Sequence, residues 1–377
     1  MDISHIAAAV KQAACDAGFE LSGIAPVRDF PELELFAKWI EAGHAGEMKY
    51  LEARDDVGNL KRASLKTAVP WARSVIVCAI NYNTAMPYST EINDPERGWI
   101  SRYAWAQEDY HDVVLRRLRA VESQLKQAAG EIRTWCYVDT GPLVERVYAK
   151  YAGVGWMGKN TCILNQKMGS WLFLGVILTS LELTPDLPAP DRCGSCTRCI
   201  DACPTAALIA PYQLDSNRCI AYLTIEKRGP IGEELREGMG RHLYGCDICQ
   251  DVCPWNRKAP ATAAPEFQPR EGLFNPALEW LAEMSVDEFR QVFRGSPVKR
   301  AKLGGLKRNA VIAMGNSGDA RFVPAIEKLL HSEDAVLAQT AQWALERLQH
   351  SDEAVDDADF LREGKANRTL RVSIFRI

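Results

Sequence analysis

The sequence predicts an α/β (α+β) domain, then a small cysteine-rich domain, then an α-helical one, on three observations. Strands and helices alternate through about residue 180, eight of the twelve cysteines crowd between positions 193 and 253, and helical periodicity runs from about 272 to 350. A chain of 377 residues is too long for one simple core, so several domains are expected.

The elements follow in order. Residues 3–17 form an amphipathic opening helix, FELSGIAPV a short strand, and 31–42 a second helix, with GHAGEMKYL turning into another. SVIVCAINY (74–82) is apolar on both faces, which places it centrally in a sheet. HDVVLRRLRAVESQLKQAA (111–129) has helical periodicity and Gly130 ends it. IRTWCYVD (132–139) is a strand, and Thr140-Gly141-Pro142 turns it into the helix LVERVYAKYAGV. A glycine-rich loop, GWMGKN, leads to two apolar runs, TCILNQ and WLFLGVILTS. TPDLPAPDRC (184–193), with three prolines, is a linker. Beyond the cysteines, LKRNAVIAMGNSGD (306–319) and VLAQTAQWALERLQHSD (336–352) repeat a helix-then-polar-turn plan, which suggests a HEAT-like pair. A charged tail, 353–377, ends in RVSIFRI.

Composition narrows the function. Apolar residues make up 47% and charged residues 25%, as in ordinary globular proteins, and no apolar run approaches the roughly 20 residues of a membrane span. The N-terminus reads as no signal peptide, so a cytoplasmic chain with no membrane contact is expected, acting as a monomer. A net charge of −4 leaves any nucleic-acid contact to a local basic patch. In the cytosol thiols stay reduced, so the crowded cysteines point to metal rather than disulfides.

Cys193-x2-Cys196-x2-Cys199-x3-Cys203-Pro204 is the bacterial ferredoxin run without deviation. Three thiolates wrap one 4Fe-4S cubane, and the fourth is carried away to ligate the other cluster. The second run, Cys246-x2-Cys249-x3-Cys253-Pro254, has Leu243 where a first cysteine belongs, and Cys219 is the natural replacement. One cluster then takes Cys193, Cys196, Cys199 and Cys253, and the other Cys203, Cys219, Cys246 and Cys249. A pair of zinc sites is the alternative for such C-x2-C pairs. A pure electron carrier would need far fewer residues, so the electrons are expected to be used within this chain, fed by an external low-potential donor.

What they reduce is less legible. No G-x-G-x-x-G follows a strand; GVGWMGKN follows a helix. Asp109-x-His111 begins a cobalamin-type D-x-H-x-x-G, but Val114 takes the glycine position. Composition and spacing stop at a cluster-fed reductase of unidentified acceptor.

YVDTGPLVERVYAKYAGVGWMGKNTCIL, CGSCTRCIDACPTAAL and CDICQDVCPWN together resemble the epoxyqueuosine reductases, and GEMKYL and SRYAWAQEDYH match that family too. The likeness spans essentially the whole chain. It implies a cobalamin-dependent, two-cluster enzyme, related to reductive dehalogenases, that removes the epoxide oxygen of epoxyqueuosine at the wobble base of tRNA, the last step of queuosine synthesis. It further implies a cobalamin-binding catalytic domain over 1–184, a ferredoxin-like 4Fe-4S domain over 185–258 and a HEAT-like helical domain over 259–377. Rival readings are another cobalamin-dependent reductase of dehalogenase type, and a non-catalytic electron-transfer protein.

The likeness makes Asp139 the proton donor to the departing oxygen. An aspartate of ordinary pKa, about 4, needs burial to serve as an acid at neutral pH; the alternative is that Asp139 caps the helix after Pro142. Gly158, Lys159 and Asn160 form a loop able to approach a corrin, with Ile163, Ser170 and Leu174 around it as contacts or simply core. Cys246 and Asp247 would stand where cluster meets corrin. Arg102, Tyr103, Trp105, Tyr110 and His111 suit stacking on a splayed-out nucleobase, or a packed loop. Arg294, Lys299, Arg300, Lys302, Lys307 and Arg308, with no acidic residue among them, suit a tRNA phosphate stripe or a solvated helix face.

Overall fold

The computed structural model describes residues 3–350. At its centre is a four-stranded sheet in the order Leu21–Pro26, Ser74–Asn81, Leu172–Thr179, Thr134–Tyr137, antiparallel at every step. The architecture is therefore α+β rather than doubly wound. Every residue of Ser74–Asn81 is buried, as its two apolar faces require. Ile76, Cys78 and Ile80 face the opening helix Ile3–Asp16 and the long helix Tyr110–Ala129. Val75, Val77 and Ala79 face the helix Glu145–Tyr151 on the other side. Gly175 lets the long helix close on the sheet: a Cβ there would lie 2.7 Å from Val114 and 2.8 Å from Leu118.

The long helix is capped by Asp109, whose side chain accepts from the His111 amide, and stopped by Gly130 at φ +78°. Other expected elements shorten. The strand after Gly130 pairs only over Thr134–Tyr137, and GEMKYL forms a single 3₁₀ turn, Lys49–Glu52, rather than a helix. The glycine-rich loop joins the arms of a small hairpin, Trp156–Met157 with Ile163–Leu164. The proline linker is pinned, because Asp186 accepts from the Ile24 amide at 2.9 Å and from Lys11 at 2.5 Å.

The cysteine-rich stretch is built from single turns of helix, Arg198–Asp201 and Ile248–Asp251, with the helix Ile220–Ile225 between them. Its strand His242–Tyr244 pairs in parallel with Trp99–Ile100. That pairing carries Trp99, Ile100 and Trp105 away from the central sheet into one apolar cluster with the C-terminal helices Leu278–Glu283 and Lys302–Ser317. A further helix occupies 335–350, and the charged tail beyond lies outside the described residues. Among the described residues no helix is long and apolar enough to cross a membrane.

Candidate active site

Asp139 follows directly on the edge strand Thr134–Tyr137 and sits at φ +60°, a left-handed conformation that costs an L residue about 1 kcal/mol and that Asp tolerates better than most. Its side chain does not cap the next helix: that helix begins at Glu145 with Val144 at the cap position and no side-chain bond. Instead the exposed carboxylate accepts from the Tyr110 hydroxyl at 3.1 Å. The Tyr110 ring stacks on Phe173 with centroids 4.4 Å apart and planes within 3°, which fixes the hydroxyl. Burial, and then the Asp139 charge, push the Tyr110 phenol well up, so it stays a donor. His111 lies 4.0 Å from the Tyr110 ring, and its Nδ1 meets Asp109 at 2.8 Å. Burial opposes its protonation, but the Asp109 carboxylate outweighs that and holds its pKa above the ordinary value. Tyr103 packs edge-on against Tyr110 and donates to the Tyr244 hydroxyl at 3.0 Å.

Glu145 joins this group from the far side. Its Oε1 is buried without a hydrogen-bond partner, and burial, with the Asp139 charge next, raises its pKa to about 7. Sequence reading passed over it. The only signal was a second carboxylate six positions after Asp139 in the same motif.

The eight crowded cysteines are free thiols that sort into two sets by mutual proximity. Cys199 feels Cys193 and Cys196, and Cys253 feels Cys193 and Cys199. Cys219 feels Cys203, Cys246 feels both, and Cys249 feels Cys246 and Cys219. Burial raises Cys199, Cys219, Cys246 and Cys253, the last to about 11, so metal must displace protons to bind there. Among the described residues no three His, Cys, Asp or Glu side chains converge on a single ion. A cubane takes one thiolate per iron, so its ligands stand farther apart than those of one ion. Cys162, a scattered cysteine in the sequence, lies against Cys249.

The loop residues reach across to the cysteine-rich stretch. Lys159 donates to the carbonyls of Gly194 (2.7 Å) and Cys196 (2.9 Å), and Asn160 to that of Cys249. Gly158 has no room for a Cβ, which would meet Leu164 at 2.5 Å. Ile163 is buried, and Ser170 is buried and bonded to Gln250 and Asn256. Leu174 is half-buried at the edge of the sheet's second core, near Tyr137, Met157 and Leu172. Asp247 is buried, and its carboxylate accepts from Trp99, Ser101 and the Arg102 amide. Cys246 beside it is half-buried.

Comparison with known proteins bears on the whole arrangement. Residues 192–256 match the family described as a 4Fe-4S double cluster binding domain, and residues 62–140 match the one described as epoxyqueuosine reductase QueG, DUF1730. The epoxyqueuosine reductase of Synechocystis sp. is 42% identical over 293 residues, 76% of this chain and 98% of that protein. That of Vibrio cholerae is 38% identical over 349 residues, 92% of this chain and 93% of its own. The chain belongs to the epoxyqueuosine reductase family. Solved epoxyqueuosine reductases share the fold. One in complex with an epoxyqueuosine-modified tRNA-Tyr stem loop gives a TM-score of 0.82 at 32% identity, covering 92% of this chain and 91% of the other. The Bacillus subtilis epoxyqueuosine reductase, with its catalytic aspartate loop swung out of the active site, gives the same values.

For an epoxyqueuosine reductase, the surface available to RNA matters, and three expected contacts are corrected here. Arg102 is 2% exposed and directs its guanidinium at the carbonyls of Thr84, Met86 and Pro87, and Trp105 is 0% exposed with its indole N–H on Ile100. Neither can stack on a base. Arg308 is 1% exposed, bound to the carbonyls of Leu223, Lys227 and Gly229, and belongs to no phosphate stripe. Lys299, Arg300 and Lys302 are exposed and Lys307 half-buried, with Arg300 paired to Glu226 at 2.9 Å. Tyr103, Tyr110 and His111 are half-buried around Asp139.

Proposed function

We propose that this chain reduces epoxyqueuosine to queuosine at the wobble position of a tRNA, using two 4Fe-4S clusters and a cobalamin. The observation that carries the reading is the coincidence, in one family member, of eight cysteines in two sets of four with a carboxylate held by a half-buried tyrosine. Two electrons enter, both epoxide C–O bonds break, an alkene forms, and the oxygen leaves as water after taking up two protons. A cobalamin, when bound, supplies a cobalt centre able to pass the electron pair to the substrate.

The residues present fit such a group. Tyr137, Met157, Leu172 and Leu174 offer partly buried apolar surface suited to a flat macrocycle, and Glu145 Oε1 is a buried oxygen awaiting a donor. Cys193, Cys196, Cys199 and Cys253 would hold one cluster, and Cys203, Cys219, Cys246 and Cys249 the other. Asp139 is the group placed to deliver a proton to the departing oxygen, and the Tyr110 hydroxyl orients it. Lys299, Lys302 and Lys307 offer the tRNA backbone a basic edge. The parts work as a catalytic domain over 1–184, a cluster domain over 185–258 and a HEAT-like domain over 259–377, with helices Lys302–Ser317 and 335–350 as the repeated unit. An external low-potential donor reloads the clusters.

The test is mass spectrometry of anticodon nucleosides after anaerobic incubation of reconstituted protein with reductant, cobalamin and epoxyqueuosine tRNA. Queuosine should accumulate. Asp139→Asn and Asp139→Ala should lower turnover at least about a hundredfold, the scale of lost acid catalysis, with iron content unchanged. Wild-type turnover in both variants refutes the role of Asp139, and unconverted tRNA with the wild-type protein refutes the function.

A further inference from the structure

We propose that Tyr50, flanked by Arg62 and Arg300, is a shelf for an unstacked nucleobase next to the reacting nucleotide. The inference rests on the RNA-reducing reading above and adds the surface that holds the RNA. Tyr50 lies in the GEMKYL segment, which the catalytic scheme leaves without a role. It is 47% exposed, so the ring is within reach of a partner arriving from solvent. The Arg62 guanidinium carbon is 6.0 Å from its ring centroid and that of Arg300 is 5.4 Å away. The ring lies near enough to Asp139 to feel its charge. Burial raises its phenol, the Glu226 carboxylate adds to this, and so does the charge of Asp139.

The shelf is rigid before any ligand arrives. Gly46, at φ +59°, lies so close to Tyr222 that a Cβ would meet the ring at 2.5 Å. The Glu47 amide donates to the Tyr222 hydroxyl at 2.8 Å, while the Glu47 carboxylate accepts from Lys227 at 2.5 Å and from the Arg228 amide at 3.0 Å. GEMKYL is thereby fastened to the segment that follows Cys219. Arg300 is held from the other side by a two-pronged bond to Glu226, 2.9 and 3.0 Å. Its charge is thus balanced, which suits the planar face of a base better than a phosphate. Unpaired bases of RNA loops are recognised in this way, by stacking on aromatic rings and guanidinium planes.

The test uses reconstituted protein and an epoxyqueuosine anticodon stem-loop carrying 2-aminopurine on either side of the modified nucleotide. Wild-type protein and Tyr50→Phe should quench the fluorescence of one flanking base. Tyr50→Leu, which keeps bulk but no π-face, should lose the quenching and bind about tenfold more weakly. Wild-type affinity and quenching in Tyr50→Leu overturn the shelf. A wild-type complex quenched at neither flank overturns it whatever the variants do. So does a Tyr50→Leu protein impaired only in accepting electrons from its donor, which would place a protein there. Stem-loop bound and quenched but never reduced leaves the shelf standing and sinks the reductase reading; reduction with undiminished Tyr50→Leu binding does the reverse.

Discussion

Arg308 directs its guanidinium at three backbone carbonyls, those of Leu223, Lys227 and Gly229, and at its neighbour Asn309. Burial lowers its pKa only to about 10, so it stays a cation at neutral pH and its partners must offset the lost hydration. Its work is to close the chain after Cys219 onto the helix Lys302–Ser317. Replacing it by Met leaves three carbonyls unpaired and should cost about 3 kcal/mol in denaturant unfolding. Reversing exposed Lys299 and Lys302 to Glu should do the opposite: little change in stability, but weaker tRNA binding with a flatter salt dependence. Equal losses of tRNA affinity in both sets would mean that burial had not separated them.

Single elements carry pH sensitivity of opposite signs. In the strand His242–Tyr244, His242 is buried with Nε2 unpartnered, and burial lowers its pKa to about 4. Its neutral form is required by the fold, so this contribution is complete above the ordinary value near 6.5 and is lost as pH falls toward 4. Full loss is about 3 kcal/mol. Glu145, at the start of Glu145–Tyr151, is raised to about 7, so its contribution is complete below the ordinary 4.5 and is lost as pH rises through 7. Between about pH 4.5 and 6.5 the two slopes offset each other, so His242→Gln should leave stability falling as pH rises through that range, and Glu145→Gln should leave it rising. Curves parallel to wild type would show that neither group titrates with unfolding.

Across the whole molecule, the cluster segment is the joint between the sheet and the helices. Trp99–Ile100 pairs with His242–Tyr244, Asp247 ties Trp99, Ser101 and Arg102, and Asn309 reaches the carbonyls of Thr224 and Leu243. Losing the clusters would leave mostly half-buried thiols with no iron to draw the two halves of each set together. Anaerobic chelation of iron should lower the melting temperature by about 10 °C or more and broaden the transition over the whole chain. A melt identical with and without iron would show that the joint holds by packing alone.

The amino-acid order alone determined the cluster-type spacing of the eight cysteines, the buried strand Ser74–Asn81, the long helix ending at Gly130, and the motif around Asp139. Each is written in spacings of a few residues, the range over which backbone geometry dictates pattern. Tertiary structure decided which cations meet solvent and which carboxylates lie buried. Arg308 and Lys307 are adjacent and alike in sequence, yet one is enclosed by carbonyls about 80 positions away and the other is not. Likewise Asp247 was matched with Ser101 from 146 residues away, and Glu145 Oε1 was enclosed without a partner. Burial is set by what the rest of the chain brings alongside, and no local spacing encodes that.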